Sequence, residues 1–147
     1  MRHKLAALLT VLLYTVFITC GCSKQETAEK DDRIVIGMSQ VGAESDWRQA
    51  DTASMKAVFT EANGYRLLFD DARQEQENQF VAIRRFIQQK VDYIVVMPIT
   101  EDGWDAVLKE AKDAGIPVIL VDRMVNVKDD SLITAHVGSD FLRWMRE

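Results

Sequence analysis

"VDYIVVMPITEDGWDAVLKEAKDAGIPVILVDR", Val91 to Arg123, decides the fold. "VDYIVVM" (91–97) is a nearly continuous apolar run and is bounded by Pro98. Trp104, Val107, Leu108 and Ala111 then recur at the spacing of a half-buried helix. Gly115 and Pro117 stop that helix. "VILV" (118–121) is apolar at every position. A strand with no polar face is buried on both sides, as in a parallel sheet covered by helices. The stretch therefore reads as one strand–helix–strand unit.

The same unit recurs outward from it. "RIVIGM" (33–38) is a first strand, "YRLLF" (65–69) a second and "SLITAHV" (131–137) a fifth. Trp47 to Ala62 carries apolar residues at Met55, Val58, Phe59 and Ala62, so it is expected to be a half-buried helix. "NG" at 63–64 ends it. Gln76 to Lys90 is a helix with Phe80, Ile83 and Ile87 on one face, and Phe141 begins another. Strand–helix alternation of this kind predicts an α/β fold, a doubly wound parallel sheet in an open layer.

The amino end is different. "MRHKLAALLTVLLYTVFITCGC" has a basic start and an apolar run from Leu5 to Ile18. The run is shorter than the roughly 20 residues of a membrane span and fits a secretory signal. "ITCGC" resembles a lipobox, with Gly21 before the acceptor Cys22, although Thr19 departs from the usual Leu. Residues 1–21 are thus expected to be a lipoprotein signal peptide and Cys22 the lipidated residue. A diacylglyceryl group there would tether the chain to the outer side of the cytoplasmic membrane. A metal or redox role for Cys20 and Cys22 lacks further ligands, since His3 and His136 are remote. Residues 22–33, polar and charged, read as a flexible tether, and 34–147 as the folded part.

With 147 residues there is room for about one domain. A formal net charge of −5 argues against a nucleic-acid binder, which is usually basic. No phosphate-binding loop opens the first helix, where Gly42 stands alone. "VVMPITEDG" lacks the acceptor Asp of a receiver domain, because Ile94, Val95 and Val96 precede Met97–Pro98. His136 has no nucleophile and acid around it and reads as a strand residue. No enzyme, cofactor or metal site is expected.

Ligands of open α/β sheets bind outside the carboxyl ends of the strands. Those ends carry Ser39 with the Glu44–Arg48 turn, Asp70–Asp71, Pro98 with Thr100, Asp122–Arg123, and Ser139–Asp140. An indole covers the apolar face of a sugar at low entropy cost, while carboxylates and guanidinium groups take up its hydroxyls. Two readings stand for each. Trp47 is a sugar platform or a core residue, and Arg48 its partner or a solvated neighbour. Asp122–Arg123 is a ligand pair or a surface pair. Asp70–Asp71 and "ENQ" (77–79) are rim residues or plain structural ends.

"IGMSQVGAESDWR", "DDARQEQENQFVAIRRFIQQKVDYIVVMPI", "WDAVLKEAKDAGIPVILVDR" and "VGSDF" together resemble type I periplasmic sugar-binding proteins of ABC transporters. The galactofuranose-binding branch is the nearest, beside the ribose binders, and the likeness runs from about Arg33 to Phe141. The resemblance implies a receptor of two α/β lobes that closes on a monosaccharide. It places Trp47, Arg48, Asp122 and Arg123 at the ligand, with Glu44 and Ser45 beside them, and makes Asp71 a secondary contact or a loop-shaping residue. It also implies an ABC permease as partner; a sensor-kinase receptor would use the same lobe. A repressor core of this fold would need a helix-turn-helix where the signal stands. Such receptors are about twice this length. The chain is accordingly expected to hold the first lobe only, truncated, and to bind sugar weakly or not measurably.

Overall fold

The computed structural model describes residues 32–138. The signal segment, Cys22, nearly all of the tether, Ser139–Asp140 and the helix expected from Phe141 lie outside the described residues. Among the described residues five strands form one sheet: β1 (Ile34–Gln40), β2 (Tyr65–Asp71), β3 (Tyr93–Val96), β4 (Val118–Val121) and β5 (Ala135–Val137). Every neighbouring pair is parallel, and the order is β2-β1-β3-β4-β5. Parallel registry aligns the strand exits: Ser39 lies opposite both Asp70 and Val96, Val96 opposite Leu120, and Val121 opposite Val137. From β1 the chain winds first to β2 on one side, then crosses to β3 on the other. The strand order reverses between β1 and β3, the place where open α/β sheets present their ligand crevice.

Among the described residues three α-helices cover the sheet: α1 (Asp46–Val58), α2 (Gln76–Gln88) and α3 (Asp105–Asp113). Alternate strand residues point to opposite faces. Ile94, Val96, Val118 and Leu120 pack with Ala82, Ile83 and Phe86 of α2 and Val107, Leu108 and Ala111 of α3. Met38, Val95 and Met97 pack the other way, toward Met55 of α1 and Phe59 just beyond it. Gly37 lets α2 lie close on β1, because a Cβ there would sit 2.4 Å from the Phe86 ring.

Several expected boundaries move, each for a local reason. The first helix stops at Val58, four residues short of Ala62. The Asn63 side chain donates to the Val58 carbonyl at 2.8 Å, and Gly64 turns the chain at φ +83°. Val58 is 53% exposed and Ala62 is exposed, so Met55 and Phe59 alone carry the packed side of the expected stripe. In α2 the buried stripe is Gln79, Ala82, Ile83 and Phe86, with Phe80 and Ile87 at its margin. The fifth strand shrinks to Ala135–Val137, because the Asp129 carboxylate accepts from the Ser131 backbone N–H and folds Asp130–Leu132 into a 3-10 turn. Around α3 the expectation holds: Gly115 ends it at φ +74°. Trp104 is fully buried at its start and donates its indole N–H to the Thr100 carbonyl at 2.9 Å.

Candidate functional site

At the exit of β1 the chain runs through Val41–Ala43 and enters α1 with Ser45 as its N-cap. The Ser45 hydroxyl accepts the backbone N–H of Arg48 at 3.3 Å, so this oxygen serves the helix end. That start puts Trp47 and Arg48 in the first turn. Arg48 Nε donates to Glu44 Oε1 at 2.9 Å, and its Nη2 lies 3.8 Å from Asp122 Oδ2 at the exit of β4. The guanidinium carbon is 5.4 Å from the Trp47 ring centroid, within range of a cation–π contact. The Arg48 side chain keeps 12% of its surface, and its buried Nη1 has no hydrogen-bond partner. Trp47 is 55% exposed. It is no core residue, and Arg48 is no solvated neighbour.

Asp122 holds a left-handed backbone, φ +70°. Its N–H donates to the Val137 carbonyl at 2.8 Å, and its own carbonyl lies 3.2 Å from His136 Nε2. Asp tolerates this conformation better than most residues. The adjoining Arg123 donates to the Ile99 carbonyl beyond β3. Glu44, Trp47, Arg48 and Asp122 are thus joined by direct contacts, and Arg123 is tied to the same edge through β3.

The acids of β2 go elsewhere. Asp70 pairs with Arg85 of α2. Asp71 accepts the backbone N–H of Arg73 at 2.8 Å and shapes the left-handed pair Arg73–Gln74. β2 and β4 are three strand spacings apart, roughly 14 Å, so Asp71 and Asp122 stand at well-separated strand exits. Asp71 lines a groove with Gly42, Gln49, Thr52, Lys56 and Phe69.

Two buried amides frame the switch point, and both are polar residues that apolar periodicity passes over. Gln40 accepts from the Val41 N–H at 2.9 Å and donates to Asp51 Oδ2 and Thr52 Oγ1, each at 3.1 Å, which ties β1 to α1. Gln79, within the "ENQ" stretch, is fully buried and contacts the backbone after β3. Ser39 is buried between the two with an unpartnered hydroxyl.

The shifted ionisations lie away from this edge. Hydrogen bonding to Arg84 holds the Glu110 carboxyl below the usual carboxylate range. Asp129 is lowered by the Ser131 hydroxyl and backbone and by Lys112. Among the described residues no group of three His, Cys, Asp or Glu stands together to hold a metal.

A family match now bears on this architecture: the periplasmic binding protein domain is recognised across residues 36–144. The chain belongs to the periplasmic binding protein domain family. Within the family, it is 49% identical over 107 residues to the galactofuranose-binding protein YtfQ of Escherichia coli, covering 73% of this chain and 33% of that one. Among solved family structures, it is 50% identical to the periplasmic binding protein component of the arabinose ABC transporter from Shewanella bound to α- and β-L-arabinofuranose. The TM-score is 0.70, with 74% of this chain and 36% of that chain covered. A Mycobacterium smegmatis protein in complex with β-D-fucofuranose is 52% identical with a TM-score of 0.71, covering 75% and 36%. The chain thus spans about a third of the length of these family members.

Proposed function

We propose that the chain belongs to a monosaccharide receptor of an ABC importer, taking furanose sugars at the edge formed by Trp47, Arg48, Asp122 and Arg123. The observation that carries this reading is Arg48. Two carboxylates orient its guanidinium against an exposed indole, while one buried nitrogen keeps an unused donor. The exposed Trp47 face covers the C–H surface of a sugar, and the acids and guanidinium groups receive its hydroxyls. Glu44 and Asp122 act chiefly by aiming Arg48. Ser45 and Asp71 act on the backbone, the one by capping α1 and the other by shaping its loop.

The furanose preference draws support from relatives at 49–52% identity whose ligands are galactofuranose, arabinofuranose and fucofuranose. An importer role draws support from the arabinose transporter component and is preferred to a sensor-kinase role. The receptor acts outside the cytoplasmic membrane, held there by a lipid on Cys22, and it binds rather than transforms its ligand. Contacts from a second lobe would add to those of this edge, and each 1.4 kcal/mol of them is tenfold in affinity. Alone, this edge is expected to bind in the millimolar range or weaker.

The test is a nitrogen-resolved NMR titration with ring-locked furanosides and pyranosides. The Trp47 indole resonance should move with furanosides, the buried Trp104 indole should stay, and Arg48→Ala should end the response. A Trp47 signal that stays still up to about 100 mM sugar would refute the reading.

A further inference from the structure

The geometry points to Gln79 as a positioning residue for the sugar edge, acting through Arg123. It rests on the reading of Arg123 as a sugar contact. Gln79 is fully buried in the first turn of α2. Its Nε2 donates to the Met97 carbonyl at 2.7 Å, and its Oε1 accepts the Ile99 N–H at 3.1 Å. A primary amide offers a donor and an acceptor side by side, as a backbone peptide does. Gln79 therefore continues the ladder beyond the end of β3 like a short added strand.

Pro98 between the two contacts has no N–H to offer. The Met97 N–H is already spent on the Ser39 carbonyl. Gln79 accordingly holds the remaining polar groups on either side of Pro98, the Met97 carbonyl and the Ile99 N–H. That hold matters because the Ile99 carbonyl accepts from the Arg123 guanidinium. A guanidinium has five donors in a rigid fork, so fixing one of them aims the others. Gln76, three residues earlier on the same helix face, adds a second amide to the same loop by donating to the Asp102 carbonyl at 2.6 Å. The chain of contacts runs from α2 through the β3 exit to the β4 exit. It places Arg123 without any contact between Gln79 and the sugar.

The test compares Gln79→Leu, Gln76→Ala, Arg123→Ala and the Gln79→Leu/Arg123→Ala double variant, below their melting temperatures. In ligand-free protein the Arg123 Nε–H resonance should shift or broaden in Gln79→Leu, and less so in Gln76→Ala. The backbone amides of α3 should hold their positions. In sugar titrations read at the Trp47 indole, Gln79→Leu should weaken binding about tenfold. The double variant should bind no worse than Arg123→Ala alone, because both changes remove one effect. Two results would overturn the inference: an unmoved Arg123 resonance in both glutamine variants, or losses that add in the double variant. Should Gln79→Leu not fold, the Gln76→Ala resonance decides. Should the unaltered protein ignore sugars, the receptor reading fails, and the ligand-free Arg123 signal still answers for Gln79.

Discussion

On one face of the sheet Ile83, Trp104 and Leu108 have no exposed surface. On the other, no residue of α1 is buried, and Trp47 and Val58 remain 55% and 53% exposed. The first face is close-packed: Phe80 meets Trp104 edge-on at 5.2 Å, and the Arg84 guanidinium grips Glu110 across α2 and α3. The second has a smaller buried core of Ile36, Met38, Val41, Val95 and Met97, and α1 is tied over it by Met55, the Gln40 amide, Lys56 over the Phe69 ring at 3.9 Å, and Phe59 against Tyr65 at 5.2 Å. The larger share of the buried core therefore lies under α2 and α3. The indole and guanidinium of the proposed sugar edge ride on the looser helix, where a ligand meets side chains that the core has not claimed.

The largest effect that would break this contrast is in the packed face. Trp104→Ala should cost about 3–5 kcal/mol in chemical denaturation, by cavity formation and loss of the indole N–H bond. Val58→Ala should stay within about 0.5 kcal/mol. Similar losses from the two would refute the contrast between the faces. Next is Gln40→Leu, which leaves Asp51 and Thr52 without their shared donor. It should cost about 1–2 kcal/mol, and hydrogen exchange should rise along α1 while α3 keeps its protection.

Smaller, and of opposite sign, is Asp122→Gly. Glycine occupies a left-handed backbone without a Cβ penalty, so melting should show a gain of up to about 1 kcal/mol, partly offset by the freer unfolded chain. The same change removes a carboxylate that aims Arg48, and the Trp47 response to furanosides should fade. A stabilised variant that still bound sugar normally would sharpen the picture by leaving Glu44 as the sole aiming acid.

The smallest effect is electrostatic. Arg84 lowers the Glu110 carboxyl, so the contribution of the pair is fully present above the ordinary Glu value of about 4.3. It is lost as pH falls through the depressed folded value. The melting difference between the protein and Glu110→Gln should be slight near neutrality, since both side chains are largely exposed. It should vanish in strong acid.

The fold was legible where burial is two-sided. "VILV" and "VDYIVVM" point to a parallel sheet because short apolar runs without alternation, set between helical stripes, fit strands covered on both faces, and the α3 stripe of Trp104, Val107, Leu108 and Ala111 is buried as its spacing says. Asp122 and Arg123 are at a strand exit because the strand before them is unmistakable. What escaped was set by single side-chain-to-backbone bonds. Asn63 on the Val58 carbonyl shortens α1, and Asp129 on the Ser131 N–H trims β5. Hydropathy carries no trace of such bonds. The buried amides of Gln40 and Gln79 escaped for a related reason: a polar residue interrupts the very pattern used to find the core.

The first of the described strands to be synthesised, β1, sits in the interior of the sheet, flanked by β2 and β3. Its last residue precedes the end of β3 by 56 positions, from Gln40 to Val96. At ribosomal speed that separation is roughly 3–11 seconds. Throughout it, one edge of an apolar strand has no neighbour to pair with. A chain ordered in this way is slow to close and open to helpers in the meantime.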